Sequence, residues 1–556
     1  MSSTGNEKEP SHFALPSPYQ SPFRRWFAPK TGALRPFRLL KEDIRNYRTR
    51  LRSDWYFNQL ILASAVYVFF TNLLPGITFS SDLYVKTDRN YGTIEVVLST
   101  GICGIVFALF SAQPLTILGV TGPFCILSET IFDLCRDQFQ IPYLPFMAWA
   151  CLHSTWMHLL LAIFNAHDWT MGYVTTFSTE IFSLLNSIIY FHKSIQELER
   201  VHRNTSFASF LYSVIGCIGT FLVAVFLSTA TKWKPPIFHK YIRMGLSEYA
   251  AAISIIFWIG MPNVGELADL NQERLPVSKT FSPTHPDRSV FFVEFWKLDV
   301  AWIFAAIIPG LIITTLFFFD VEVSTICATL PRYNIQKPGG YAWDVVLLGL
   351  TTGLCGILGI PPANGLLPQA PLHSESLLHK IPDPNYRPPS ASTSIENTTT
   401  AHLDPPPKVQ RVHEQRWSHL LHAVGIFAFT SPPLMHVLGL TPTSVLAGLF
   451  LFMGQQSLCT NPILYRFLDM LTPISVLEKP TQLGGSGKAL PRGVSWTGVN
   501  MYNITQILLT VGIFVITFTK AAVAFPVVIV ALVPVRLKWM RKWWARETLI
   551  SLQGQV

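Results

Sequence analysis

Four carboxylates stand in apolar sequence: Asp320 and Glu322 after the run Phe317-Phe318-Phe319, then Glu129 and Glu180. A carboxylate within or beside a membrane span is costly and by default marks an ion pathway or a proton relay. The bland alternative places Asp320 and Glu322 at the membrane interface, since Pro331-Arg332 is close by, and lets Glu129 and Glu180 pair with hydroxyls. Residues two apart on a helix point nearly opposite ways, so at most one of Asp320 and Glu322 should face a given site. His153 and His158 are five apart, off a common helix face, which reads as packing rather than a zinc pair. No P-loop, dinucleotide fingerprint or zincin motif is present, which speaks against an ATP-driven pump, a metalloenzyme or a resident cofactor.

Chemistry at mid-membrane needs backbone that is not a plain helix. Ser111-Ala112-Gln113-Pro114-Leu115-Thr116-Ile117-Leu118-Gly119-Val120-Thr121-Gly122-Pro123-Phe124 carries two prolines and two glycines deep in apolar sequence, so a continuous helix should fail there. Broken backbone is tolerated in a bilayer only where protein or a water-filled cavity surrounds it. Thr121 before Gly122-Pro123 predicts a fresh helix start with a capping hydroxyl. Such a half-helix aims free N–H groups and a positive dipole end at the midplane, an anion site in outline. Gly359-Ile360-Pro361-Pro362-Ala363-Asn364-Gly365-Leu366-Leu367-Pro368-Gln369-Ala370-Pro371 is its counterpart in the second half. Paired interruptions at matching places point to the substrate site of a secondary transporter, and two kinked helices without a ligand are the alternative.

The rest of the 556-residue chain fits that frame. It is 49% hydrophobic and only 13% charged, a polytopic all-α membrane protein. The net charge of +9 sits at helix flanks, which membrane orientation explains without nucleic acid. All eight cysteines fall in apolar stretches and read as small buried residues, with neither a disulfide framework nor a metal site. Spans of ~20 apolar residues are expected near 56–78, 92–112, 114–134, 143–164, 169–192, 208–229 and 244–261. A second set lies near 292–319, 343–359, 361–379, 416–438, 442–460, 497–518 and 521–535, about fourteen in all. Seven is odd, so the two halves must be inverted repeats, with the broken segments third and tenth. Residues 1–53 form a basic tail, 54–261 the first repeat, 262–291 an external loop, 292–535 the second repeat, and 536–556 a basic C-terminal tail. Both tails should be cytoplasmic, with the first lying on lipid headgroups. Residues 380–415, rich in Pro, Ser, Thr and Asp, should be a disordered cytoplasmic loop. Of three glycosylation sequons, only Asn204 falls in an expected external loop.

The stretches Ala112–Pro123, Phe319–Thr325, Lys337–Asp344 and Ala524–Arg536 resemble the bicarbonate-transporter and anion-exchanger superfamily. The run 359–374 narrows the resemblance to the borate exporters of plants and fungi, and it covers about residues 37–545. It implies fourteen spans in two inverted seven-helix repeats, with a core domain (spans one to four and eight to eleven) and a gate domain that also makes a homodimer. It implies a plasma-membrane protein, with the vacuolar membrane as a further location. Asp320 falls where the exchangers carry an essential glutamate, and Gln369 where they carry a substrate-binding arginine. Losing the arginine removes a fixed positive charge, which suits borate with its several hydroxyl donors better than chloride. Thr121, Asn364 and Gln369 are then expected to hydrogen-bond the substrate, with backbone N–H groups near Gly122 and Gly365 and a lesser part for Gln113. Asp320, with Glu322 as second candidate, would carry the coupling proton. A bicarbonate or chloride exchanger and a passive boric-acid channel are the rival readings.

Overall fold

The computed structural model describes residues 35–516 except 171–175, 271, 276, 279, 331–332, 338, 368, 383–407, 460 and 473–494; beyond 516 it describes 532, 535, 540–544, 548–549 and 552. The expected last span at 521–535, most of both tails and Asn397 therefore lie largely or wholly outside the described residues.

An amphipathic helix α1 (Arg38–Ser53) precedes α2 (Gln59–Lys86), α3 (Thr93–Phe110), the two-residue strand β1 (Leu118–Gly119), the half-helix α4 (Gly122–Asp133) and α5 (Tyr143–Ile163). A short α6 (Ala166–Thr170) leads to α7 (Thr176–Asn204), α8 (Phe207–Ser228), α9 (Lys240–Glu248) and α10 (Ala250–Gly260). The second half repeats the order with α11 (Val300–Ala328), α12 (Tyr341–Leu358), strand β2 (Asn364–Gly365) and the half-helix α13 (Gln369–Ser376). A ladder β3 (Leu378–Pro382) with β4 (Lys408–Val412) follows, then α14 (Trp417–Ala428), α15 (Pro432–Leu438), α16 (Thr443–Cys459), α17 (Pro462–Leu471) and α18 (Trp496–Ile516).

The packing reports an internal twofold. α12 lies on α5 as α3 lies on α14, and α11 lies on α5 as α2 lies on α14. Each half-helix rests on the first long helix of its own repeat, α4 on α2 and α13 on α11. Around α16 and α7, α8 packs on α16 as α18 packs on α7. The chain is thus two inverted repeats divided between a core (α2–α5 and α11–α15) and a gate (α7–α10 and α16–α18). Few contacts join the two, chiefly those of α2 with α9, α10 and α16. Seven helices among the described residues are long and apolar enough to span a membrane, and two bent pairs bring the number to nine. The bend of 98° between α14 and α15 falls at Phe429-Thr430-Ser431, just before Pro432-Pro433.

Three expectations need correction. The span placed at 292–319 runs instead over Val300–Ala328, because Phe291–Lys297 packs against α5, where Trp149 Nε1 donates to Phe295 O at 2.8 Å. Asp320 and Glu322 are therefore residues of the helix interior, 4% and 1% exposed. The edges of 380–415 are ordered, since Lys380–Pro382 pairs with Lys408–Gln410 and Gln415 is buried. Glu129 and Glu180 pair with cations rather than hydroxyls: Glu129 with Lys86 at 2.8 Å, Glu180 with Arg466 on α17. Gln506 Nε2 also donates to Glu180 at 2.9 Å, which ties α7, α17 and α18 together inside the gate. Seven cysteines are buried and Cys459 is exposed; Asn503 is buried in α18, and His153 and His158 donate to separate carbonyls.

Candidate functional site

Breaking a helix in a membrane leaves carbonyls that water cannot reach, and each must find a donor. The broken third span answers this residue by residue. Arg416 donates to Ser111 O (2.7 Å), Arg50 to Ala112 O, His419 Nδ1 to Pro114 O (2.9 Å) and His373 Nδ1 to Leu115 O (3.0 Å). Leu366 N donates to Ile117 O (2.8 Å), and Asn72 Nδ2 to Leu118 O (2.9 Å). From the opposite repeat, Asp344 accepts the N–H groups of Ala112 (2.6 Å) and Gln113 (3.0 Å). Arg50, Asn72, Asp344, His373, Arg416 and His419 are each at most 3% exposed. None of these six was singled out from sequence as part of the site. The signal was there only as charge and imidazole in or beside apolar helices, without a spacing that names a partner.

β1 and β2 then meet antiparallel, Leu118 opposite Gly365 and Gly119 opposite Asn364, and bring the starts of α4 and α13 together. Glycine is required at 365: a Cβ there would lie 2.7 Å from Val321 Cα on α11, and backbone cannot yield as a side chain does. Gly365→Ala should push β2 off α11, cost ~1–3 kcal/mol of stability and abolish transport. A fluorescence-detected thermal melt of the purified protein alongside flux measures both.

Beside this junction lies a cavity of about 340 Å³ between core and gate. Thr121, Gly122, Asp320, Gly365 and Gln369 line its core side, with Phe182, Asn186, Tyr190 and Lys193 of α7 opposite. Five of the eight expected site residues are thus brought together. Thr121 occupies the N-cap of α4, but its hydroxyl makes no cap bond; Pro123 at the second helical position has no N–H to offer. That hydroxyl is buried without a partner among the described residues, and Thr121 lines the cavity.

The other three stand elsewhere. Asn364 is fully buried behind the wall, where Nδ2 donates to Asp320 Oδ2 (2.7 Å) and Oδ1 accepts from Gly365 N (2.7 Å). Its amide is spent on orienting Asp320, and the Gly365 N–H expected to meet substrate is spent on Asn364. Gln113 is fully buried away from the cavity, its Oε1 near Leu115 N at 3.4 Å. Glu322 pairs with His167 Nδ1 on α6 at 2.7 Å, and His167 stacks on Tyr341 with ring centroids 3.7 Å apart. Two residues along one helix therefore do face two ways: Asp320 to the cavity, Glu322 to the segment linking core and gate.

Gln369 carries the most information. Pro75 inside α2 removes the N–H that would have served Thr71 O four residues earlier. Gln369 Nε2 fills the gap, donating to Thr71 O at 3.1 Å. A carbonyl can only accept, so the amide nitrogen faces Thr71, and Oε1 is left without a donor among the described residues. Gln369 lines the cavity, and its buried Oε1 is an acceptor left unsatisfied among the described residues. The cavity's cations are engaged farther along: Lys86 with Glu129 (2.8 Å), and Lys193 with Asp82 at 3.9 Å.

A second cavity, of about 270 Å³, lies between the same two bodies and is lined by Ser64, Tyr67, Glu248, Glu375 and Gln456. Tyr190 and Phe450 of the first cavity and Tyr67 of the second belong to one apolar cluster, which separates them.

A model of the HCO3- transporter integral membrane domain matches residues 35–208 and 203–556. C543.05c of Schizosaccharomyces pombe, named as a transporter, is 35% identical over 517 residues, covering 92% of this chain and 95% of that one. Boron transporter 1 of Saccharomyces cerevisiae is 34% identical over 505 residues, covering 88% and 80%. Among solved structures, the transmembrane domain of the cyanobacterial bicarbonate transporter BicA aligns with TM-score 0.43 at 12% identity, over 83% of this chain and 98% of that one.

Proposed function

We propose a borate-exporting cycle for this chain, which belongs to the family of the HCO3- transporter integral membrane domain. The observation that carries the reading is the acceptor character of the core wall. Gln369 Oε1 has no donor among the described residues, and Asp320 uses one carboxylate oxygen on Asn364; Gln369 and Asp320 both line the cavity. Chloride has no proton to give such groups and bicarbonate has one; tetrahydroxyborate has four. The negative charge is met by the N-terminus of α4, where Gly122 and Pro123 line the cavity, and by the Thr121 hydroxyl. The relative named as a boron transporter supports the same substrate.

Boric acid forms borate by taking up water and releasing a proton: B(OH)3 + H2O gives B(OH)4− + H+. Exporting borate, or exporting boric acid against an incoming proton, has the same net result. Asp320 holds that proton, and Asn364 keeps the carboxylate oriented. In the cycle, the core carries α4, α13 and substrate against the gate, so the two cavities open in turn to opposite sides of the membrane. The N-terminal tail is cytoplasmic, 262–291 is external, and gate helices form a homodimer. Efflux from proteoliposomes tests the substrate: borate flux should be unchanged by a hundredfold excess of chloride, and strong chloride inhibition would return the site to an ordinary anion exchanger.

The origin of the acceptor is testable separately. Pro75→Ala restores an N–H to Thr71 O, so Gln369 is released and its amide can turn. Chloride inhibition of borate flux should then appear in Pro75→Ala and be absent from the parent protein.

A further inference from the structure

We infer that the substrate site has a gate-side half made of Asn186 and Tyr190. It rests on the borate reading and adds the residues that would read the far face of the ligand. The two are four apart on α7, hence on one helix face, and both line the first cavity across from Thr121 and Gln369. Both are at least nine-tenths buried, at 9% and 6% exposure. The Tyr190 hydroxyl is buried with no hydrogen-bond partner among the described residues.

Packing alone explains the ring of Tyr190 but not its hydroxyl. The ring stacks on Phe450 at 6.0 Å between centroids and sits in the apolar cluster between the cavities. Phenylalanine would fill that place without burying an unsatisfied phenol, which is costly. Asn186 likewise lies on an α7 face whose other cavity residues include Phe182 and Ile189, where an aliphatic side chain would pack as well. The polar complement fits the ligand. The core wall offers acceptors at Gln369 and Asp320, which take up B–O–H protons. The gate offers donors, the Asn186 amide and the Tyr190 O–H, which suit the borate oxygens. Because core and gate move against each other, gate contacts form only when the core stands in this position. They set affinity on one side of the membrane.

Methylboronic acid, in which a methyl group replaces one hydroxyl, separates a ligand contact from a structural role. Wild type should prefer borate over methylboronic acid by ~10-fold or more, as sites built to bond a hydroxyl do. Tyr190→Phe and Asn186→Leu should each raise the borate KM ~10-fold with the maximal rate kept within about twofold, the signature of lost substrate binding. Each should also shrink the preference over methylboronic acid by a similar factor, and Asn186→Ser should recover part of it. Equal effects on both substrates, or a fallen maximal rate at unchanged KM, would overturn the assignment and make the pair structural. Tyr190→Phe keeps the ring on Phe450, so it reports even where Asn186→Leu fails to fold. Wild-type protein that moves no borate overturns the substrate reading itself, and this pair with it; normal wild-type discrimination with unchanged variants overturns the pair alone.

Discussion

Asp320→Asn is expected to lower borate flux by ~100-fold or more, the scale of losing one preorganised charged contact, while the protein still folds. The folding half follows from Asn364. Its Nδ2 now donates to Asp320 Oδ2 at 2.7 Å, and an asparagine at 320 keeps a carbonyl oxygen that can stand in the same place. The hydrogen bond that fixes β2 against α11 survives, and side-chain volume hardly changes. The chemical half follows from what is removed. The second oxygen becomes an amide nitrogen, so an acceptor for a borate hydroxyl turns into a donor and the group can no longer take a proton. Flux and size-exclusion elution of the same preparation check the two halves. A variant that elutes normally and still transports against a pH gradient would remove Asp320 from the mechanism.

Arg416→Leu should cost ~3–5 kcal/mol, the range for breaking one partner out of a buried ion pair, and should deplete folded protein in the membrane. Arg416 is fully buried, with Nε 3.3 Å from an Asp54 carboxylate oxygen that is itself fully buried. Its guanidinium also donates to Ala108 O at 3.0 Å and Ser111 O at 2.7 Å, the last turn of α3 and the first residue of the broken span. Leucine would leave Asp54 with Lys337 as its cation and strand both carbonyls in a medium without water. Arg416→Lys keeps the charge but not the fork, so it should fall between parent and leucine variant in thermal midpoint. A leucine variant as stable as the parent would show that this junction does not hold the broken span.

The chain showed its class and its breaks openly, because proline, glycine and long apolar runs act locally. The two interruptions fold into β1–α4 and β2–α13, with helix starts within a residue of Thr121 and at Gln369. What it hid depends on partners far along the chain. Asn364 reads as a substrate ligand until Asp320, forty-four residues earlier, is seen to take its amide. The polarity of Gln369 follows from Pro75, a residue that in sequence only announces a kink in a span nearly three hundred residues away. Glu322 stood as the second candidate behind Asp320 because sequence spacing alone could not show what it faces; His167 pairs with it away from the cavity. The carbonyl donors Arg416, His373 and His419 form no motif, since a donor for an orphan carbonyl can come from any helix that passes.

Under the proposed cycle this chain moves borate uphill by opening one site to two sides. The most direct measurement is borate flux in proteoliposomes of purified protein with an imposed pH gradient and equal borate on both sides. Borate should accumulate against its own gradient while protons run down theirs, and Asp320→Asn should abolish the accumulation. Borate that only equilibrates, whatever the pH gradient, would contradict the cycle and leave a passive pore.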